Sequence, residues 1–203
     1  MSGMKGFVHS CTEKTINKKA YGCSLKNSSF TDLEINMIWD FYVARSFAAS
    51  TNNAISLKAY GWDTSTGKTS GLPALEKALA QNAGITSFAI IRYKTIKDTL
   101  QAMGLSDDYI CITHPRAVLT QRYSAVSDEN ENIKIHSEEN RIAAIFRHIR
   151  NSLAHGNTYF FDNGMCLLED KDVNTKTAAI LMPKQSLIDW IFIVDQNSTY
   201  YTR

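Results

Sequence analysis

The stretch from Ser137 to Gly156 constrains the fold of this chain more than any other, because its apolar residues recur at helical spacing. Ser137 has a side-chain oxygen suited to cap the first turn, and Gly156 suits the left-handed conformation that commonly ends a helix. A helix with one apolar stripe must bury that stripe against another element. We therefore predict a long amphipathic helix within this stretch, hereafter the motif helix. Its buried stripe consists of Ile142, Ile145, Phe146, Ile149 and Leu153.

Other segments also carry helical patterns. A capping box at Thr31 to Glu34 opens a helix predicted over about 32 to 49. A second helix is predicted from Leu72 to near Gly84, and a third between Thr86 and Met103. The apolar stripe of the first helix consists of Leu33, Met37, Phe41, Ala44 and Ala48.

After Gly156 the apolar residues alternate instead. The runs 158–161 and 165–168 flank Asp162-Asn163-Gly164, and Asn-Gly between two apolar runs is the strongest short hairpin signal. The run 178–181 is a candidate third strand, and a closing helix is predicted over about 183 to 192.

Upstream of the motif helix, the run from Tyr109 to Thr113 is β-prone and ends at His114-Pro115. The pattern allows a helix to restart around Ala117, and the acidic segment 127–136 reads as a loop. Together these patterns predict a mainly α fold with a small β-hairpin after the motif helix.

The length of 203 residues fits one domain, residues 1–203, with an irregular N-terminal segment over 1–30. Neither a signal peptide nor a membrane-spanning segment is evident, so we expect a cytoplasmic protein without a membrane partner. The net charge of +2 is too small to predict indiscriminate nucleic-acid binding. Any RNA contact must come from a local cluster, for which the candidates are Lys14, Lys18 and Lys19, or Arg147, His148 and Arg150.

Two other site classes are disfavoured. The spacing of His9, Cys11 and Cys23 suits no common zinc class, so we expect no metal site there. The stretch GWDTSTGKTSG, residues 61–71, ends like a phosphate-binding loop, but Trp62 stands where the motif requires its first glycine. We interpret this stretch as a polar loop and expect no cofactor.

The end of the motif helix carries a cluster of polar residues with two explanations. Cations in the last turns of a helix, followed by glycine, are favoured by the helix dipole and demand no chemistry. Alternatively, Arg150 and His155 form a site, in which Asn151 lies one turn before His155 on the same helix face. Arg141 and His148 show a similar spacing without the asparagine or the glycine stop.

The tract RHIRNSLAHGNTYFFDNG, followed by LLEDKD, resembles the HEPN superfamily, and the strong match covers about residues 137–195. This region would hold the motif helix, the hairpin and the closing helix. The resemblance implies a HEPN-like helical bundle that forms a homodimer, with two copies of the motif facing each other. It further implies a metal-independent endoribonuclease of a toxin or phage-defence (abortive infection) system, with an antitoxin or a phage trigger protein as a further partner.

Carried onto this chain, the resemblance makes His155 a general acid or base and Arg150 the group that stabilises charge on the phosphate. Asn151 would orient His155 or the phosphate. Arg147 and His148 either add contacts to the RNA substrate or are solvated surface residues. Imidazole titrates near neutral pH and guanidinium binds phosphate in bidentate fashion, so the assignment suits RNA transesterification without a metal. The alternative is a non-catalytic HEPN-like module that binds RNA or a protein.

Overall fold

A computed structural model gives the architecture of the chain. The described residues are residue 25 and the ranges 28–49, 51–65, 71–90, 100–102, 104–106, 108–127, 133–173 and 175–202.

Within these residues, six strands form one mixed sheet and two more form a separate hairpin. The strands are β1 (Ser87–Ile90), β2 (Ile110–Thr113), β3 (Arg116–Leu119), β4 (Tyr123–Ser127), β5 (Ile133–Ser137), β6 (Thr158–Phe160), β7 (Met165–Asp172) and β8 (Thr175–Pro183). The large sheet has the order β1-β3-β2-β8-β7-β6, and β4 pairs with β5. The pairs β1/β3 and β2/β8 are parallel, whereas β2/β3, β6/β7 and β7/β8 are antiparallel.

The described helices are α1 (Asp32–Trp39), which continues as a π-helical turn over Asp40–Ala44, α2 (Leu72–Asn82), α3 (Arg141–Ala154) and α4 (Ser186–Val194). The motif helix α3 packs on β7 and on the π-helical turn, and α4 packs against α1 and α2. The helices therefore share the main core with one face of the large sheet. A smaller apolar cluster on the opposite face includes Ala89, Cys111 and Val118.

The prediction of a mainly α fold is wrong, and with it the prediction of a HEPN-like helical bundle: the described chain is a mixed α/β fold. Strand β1 occupies the first part of the helix predicted between Thr86 and Met103, residues 100–102 of that span are helical, and residues 91–99 and 103 lie outside the described residues. Strand β3 replaces the helix proposed around Ala117, and β5 replaces part of the loop 127–136. In β3 the run from Ala117 to Leu119 is buried on both faces and shows no alternation, so its pattern does not distinguish a strand from a helix.

The elements around the motif helix are confirmed. Strands β6 and β7 form the hairpin predicted from Asn163-Gly164, with Phe160 opposite Cys166. Gly164 has a positive φ of 78°, a conformation that costs a residue with a side chain more than glycine. The third strand and the closing helix are present as β8 and α4, and the predicted helix from Leu72 is α2.

Two helix starts test the capping predictions. The capping box of α1 is confirmed, with the Thr31 hydroxyl accepting from the backbone of Glu34 and the Glu34 carboxylate accepting from the backbone of Thr31. The predicted N-cap of α3 is wrong by three residues, because Ser137 ends β5 and Asn140 accepts from Ala143 instead. Leu33 was placed in a buried stripe but is 72% exposed, because α1 turns its other face to the core.

Phe146 of the motif helix lies at the centre of an aromatic cluster. Its ring centroid lies 4.7 Å from that of Phe47, 5.4 Å from that of Tyr42 and 5.9 Å from that of Trp190. These rings come from the segment after α1, from α3 and from α4, so the cluster fixes the position of the motif helix. No helix among the described residues combines the length and the apolar composition that crossing a membrane requires.

Replacing Phe146 by alanine should lower the free energy of unfolding by about 3–5 kcal/mol, because it leaves a cavity among the rings of Phe47, Tyr42 and Trp190. The matched control, Leu33→Ala, removes an exposed apolar side chain and should change stability by less than about 0.5 kcal/mol. Urea unfolding followed by circular dichroism measures both values. Equal effects of the two substitutions would contradict the placement of Phe146 in the core.

Candidate functional site

The last two turns of α3 place the predicted site residues on different sides of one helix. The helix is amphipathic, and its stripe of Ile142, Ile145, Ile149 and Leu153 is buried against the core. Side chains next to the stripe are drawn into the protein, while those opposite face solvent. The polar residues of the motif therefore have unequal access to a ligand.

His148 is fully buried, so its side chain does not reach a bound phosphate in this conformation. Its Nδ1 lies 2.7 Å from Oδ2 of Asp170, a carboxylate in strand β7. The backbone carbonyl of His148 accepts from the hydroxyl of Ser152 at 2.7 Å. His148 thus joins the motif helix to the sheet.

Asn151 is tied to the same carboxylate. Its Nδ2 donates to Oδ2 of Asp170 at 3.0 Å, and its Oδ1 lies 3.5 Å from Nη1 of Arg150. The described contacts contain no side-chain bond between Asn151 and His155, which the sequence had suggested. The asparagine therefore connects Asp170 to Arg150.

The carboxylate of Asp170 stays ionised in this position. Burial would raise its pKa, but hydrogen bonds from His148 and Asn151 outweigh that effect and hold the pKa below its usual value. Since an ionised carboxylate only accepts hydrogen bonds, the proton in the contact with His148 sits on Nδ1 of the imidazole.

Arg147 is already neutralised by carboxylates of the protein. Its guanidinium binds Glu139 at 2.7 Å and Asp108 at 3.1 Å, and the side chain is 11% exposed. Burial lowers the pKa of Arg147, but the hydrogen bond and charge of Glu139 more than offset this and the pKa is raised. In this arrangement neither Arg147 nor His148 offers a free group to RNA.

Arg150 differs in its partners from four other arginines of the described residues. Arg45, Arg122, Arg141 and Arg147 each form an ion pair with a carboxylate. Among the described residues Arg150 forms no such pair, and its half-buried side chain has a buried Nε without a hydrogen-bond partner. Its positive charge is therefore available to an external anion.

His155 lies at the end of the helix and is exposed. Its backbone N–H donates to the carbonyl of Asn151 at 2.9 Å, and the next residue, Gly156, has a positive φ of 69°. The side chain projects where the chain leaves the helix, within one turn of Asn151. An imidazole in such a position can exchange protons with a ligand.

The sequence did not single out Asp170 as a site residue. Its only signal was its place in the run LLEDKD, where two acidic residues follow an apolar strand pattern. Both are buried: Glu169 pairs with Lys176 at 2.6 Å, and Asp170 turns to the motif helix. Buried carboxylates require partners, so an acidic residue inside a strand pattern was the available sign.

Several sequence predictions concern residues that the structure does not describe. The disfavoured zinc set His9, Cys11 and Cys23 lies outside the described residues, as does the cluster of Lys14, Lys18 and Lys19. Residues 66–70 of the polar loop 61–71 also lie outside them. Within the described part of the chain, no three or more His, Cys, Asp or Glu side chains are grouped as metal ligands.

Comparison of the chain with protein-family models, with curated proteins and with solved structures gave no match. The function must therefore be argued from the site itself.

The contribution of Asp170 to stability should depend on pH. Because folding lowers its pKa, the carboxylate stabilises the protein above the unfolded-state pKa of about 3.9, and this stabilisation is lost as the pH falls through the lower folded-state pKa. At pH 7 Asp170→Asn should cost about 2 kcal/mol, the typical worth of charged hydrogen bonds, and the difference from wild type should shrink below pH 4.

Urea unfolding at pH 7 and at pH 3 measures this difference. Asp172→Asn, an exposed change in the same strand, is the control and should shift stability by less than about 0.5 kcal/mol at pH 7. An Asp170→Asn difference that stayed constant or grew toward pH 3 would show that the carboxylate is not ionised in the folded protein.

Proposed function

We propose that the protein is a metal-independent endoribonuclease that cleaves RNA by transesterification. The observation that carries this proposal is that Arg150, which forms no ion pair within the described part of the chain, lies in the same helix end as the exposed His155. These are the two groups that the reaction needs, a cation for the phosphate and a proton-transfer group. The remaining polar residues of the helix end are engaged with the protein.

His155 would act on the ribose. It removes the proton from the 2′-hydroxyl, the 2′ oxygen attacks the adjacent phosphorus, and the bond from phosphorus to the 5′ oxygen breaks. The products are a 2′,3′-cyclic phosphate and a 5′-hydroxyl, whose oxygen takes up a proton from solvent as it leaves, while the imidazolium of His155 returns its proton to solvent. Exposure of the imidazole supports this role, because the nucleotide must come within hydrogen-bond distance of it.

Arg150 would stabilise the phosphate. Negative charge builds up on the non-bridging oxygens during attack, and a guanidinium can donate two parallel hydrogen bonds to them. An arginine paired with a carboxylate would have to give up that partner first. The lack of an ion pair on Arg150 among the described residues supports its assignment.

Assembly into a homodimer is part of the proposal. On an ideal helix, positions 150 and 155 differ by about 140° around the axis, so one helix holds the two side chains apart. A two-fold axis beside the helix end would bring the arginine of one copy toward the histidine of the other.

The resemblance of the motif to HEPN enzymes supports a biological setting in a toxin or phage-defence system of the cytoplasm. RNA is then the substrate, and an antitoxin or a phage-derived trigger protein is a further partner. Arg147 binds Glu139 and His148 binds Asp170, so neither side chain is assigned a contact to the substrate.

The purified protein should cleave total cellular RNA or transfer RNA in the presence of a chelator and leave 2′,3′-cyclic phosphate ends. His155→Ala should reduce the rate by at least about 100-fold, the lower range of a general acid or base contribution. Gel electrophoresis of the products and enzymatic analysis of their ends give the measurement.

His136→Ala is the matched control, because His136 is an exposed histidine in strand β5, before the N-terminal end of the motif helix, whereas His155 lies at the C-terminal end. It should cleave at the wild-type rate. Equal inactivity of wild type and His155→Ala on both RNA classes would refute the enzyme and favour the non-catalytic RNA-binding or interaction module.

A further inference from the structure

We propose that Asp170 is a positioning residue of the site: its carboxylate fixes the side-chain amide of Asn151, whose oxygen then holds the guanidinium of Arg150. This inference rests on the proposed function, since it concerns the arginine assigned to the phosphate. Asp170 itself would touch neither the substrate nor the reacting atoms.

The carboxylate of Asp170 binds two side chains of the motif helix. One oxygen, Oδ2, accepts from Nδ1 of His148 at 2.7 Å and from Nδ2 of Asn151 at 3.0 Å. The two donors are three residues apart and hence share one face of α3. The side chains of His148 and Asp170 are 0% and 7% exposed, so water offers little competition for these bonds.

The bond to Asp170 fixes the orientation of the Asn151 side-chain amide. Its NH2 group points to a carboxylate, so its oxygen is turned the other way, toward Nη1 of Arg150 at 3.5 Å. The reversed orientation would place the NH2 group against a cation and the oxygen against an anion. Asp170 therefore selects one of the two orientations of the amide.

The oriented amide of Asn151 restrains the side chain of Arg150. Free arginine side chains have many rotamers, and restraining one before the substrate binds lowers the entropy cost of reaching the transition state. Within the described residues, the side-chain hydrogen bond that Arg150 forms is the contact with Asn151. Loss of Asp170 should therefore release Arg150 through Asn151.

His148 completes the arrangement from the other side. Its Nδ1 donates to Oδ2 of Asp170, and its backbone carbonyl accepts from the hydroxyl of Ser152. These two hydrogen bonds hold the carboxylate against the helix. A purely structural role for Asp170, as a tie between β7 and α3, would use the same bonds. The two roles differ in whether Asp170 affects the reaction beyond its effect on stability.

Glu169, the residue before Asp170, offers a control that separates the structural role from the positioning role. Glu169 is also buried and also carries an ion pair, with Lys176 at 2.6 Å, but it contacts neither Asn151 nor Arg150 in the described structure. Glu169→Gln should weaken the fold as Asp170→Asn does, because each removes one buried carboxylate of the same strand. Only Asp170→Asn should disturb the orientation of the Asn151 side-chain amide.

The first measurement uses the full-length protein with 15N-labelled asparagine. In wild type and Glu169→Gln, the side-chain NH2 of Asn151 should exchange with solvent at least about tenfold more slowly than that of Asn53, which is exposed. In Asp170→Asn this protection should be lost. Fast exchange of Asn151 in wild type would overturn the inference.

The second measurement is RNA cleavage at a temperature where all variants are folded. Asp170→Asn should lower kcat by about tenfold or more with KM changed by less than about twofold, because the restraint on Arg150 matters in the transition state. Glu169→Gln should leave kcat within about twofold of wild type. Equal losses of kcat in the two variants would assign Asp170 a structural role only and overturn the inference.

The two proposals fail separately. A wild-type protein that cleaves no RNA would refute the ribonuclease, while protection of Asn151 that depends on Asp170 would still support the anchoring role. An active ribonuclease whose Asn151 amide exchanges freely would refute the role of Asp170 and leave the proposed function standing.

Discussion

The hydrogen bonds to the buried carboxylate of Asp170 are the interaction on which the arrangement of the site depends. They join strand β7 to the motif helix through two donors, His148 and Asn151. A buried charge is tolerated only when it is fully paired, so this carboxylate must keep both donors in place. The helix end is thereby fixed to the sheet at the turn that carries Arg150.

Pairing of charges within the protein separates the residues of the helix end into two groups. Arg147 is neutralised by Asp108 and Glu139, and His148 is held by Asp170, so both serve the fold. Arg150 and His155 are left with no carboxylate partner in the described part of the chain. Among side chains of one charged type, the one whose charge is not neutralised by a carboxylate of the protein is the better candidate for an external ligand.

The sequence predicted the parts of the fold that have a clear period or a specific turn. The stripe of α3, the turn at Asn163-Gly164 and the capping box at Thr31 each impose a local structure, and each was confirmed. The fold class was wrong because β1, β2 and β3 are four-residue strands whose apolar runs show no alternation over their length. Their identity comes from pairing with β8 and with each other, which is a long-range property.

The candidate site was predicted in part. Arg150 and His155 could be identified because they lie close in sequence, whereas Asp170 could not, since its contact with Asn151 spans 19 residues. The sequence also could not assign Arg147 and His148, because their partners come from other elements. Burial and pairing decide which polar residues of a motif remain free, and both depend on tertiary structure.

A crystal structure with a non-cleavable RNA, in which the attacking ribose is 2′-deoxy, tests the central claim most directly. The account predicts phosphate oxygens within about 3 Å of the Arg150 guanidinium and the sugar next to the His155 imidazole, with the bond from Asn151 to Asp170 retained. An RNA bound away from Arg150 and His155, or an Arg150 that turns to a carboxylate of the protein in the complex, would contradict it.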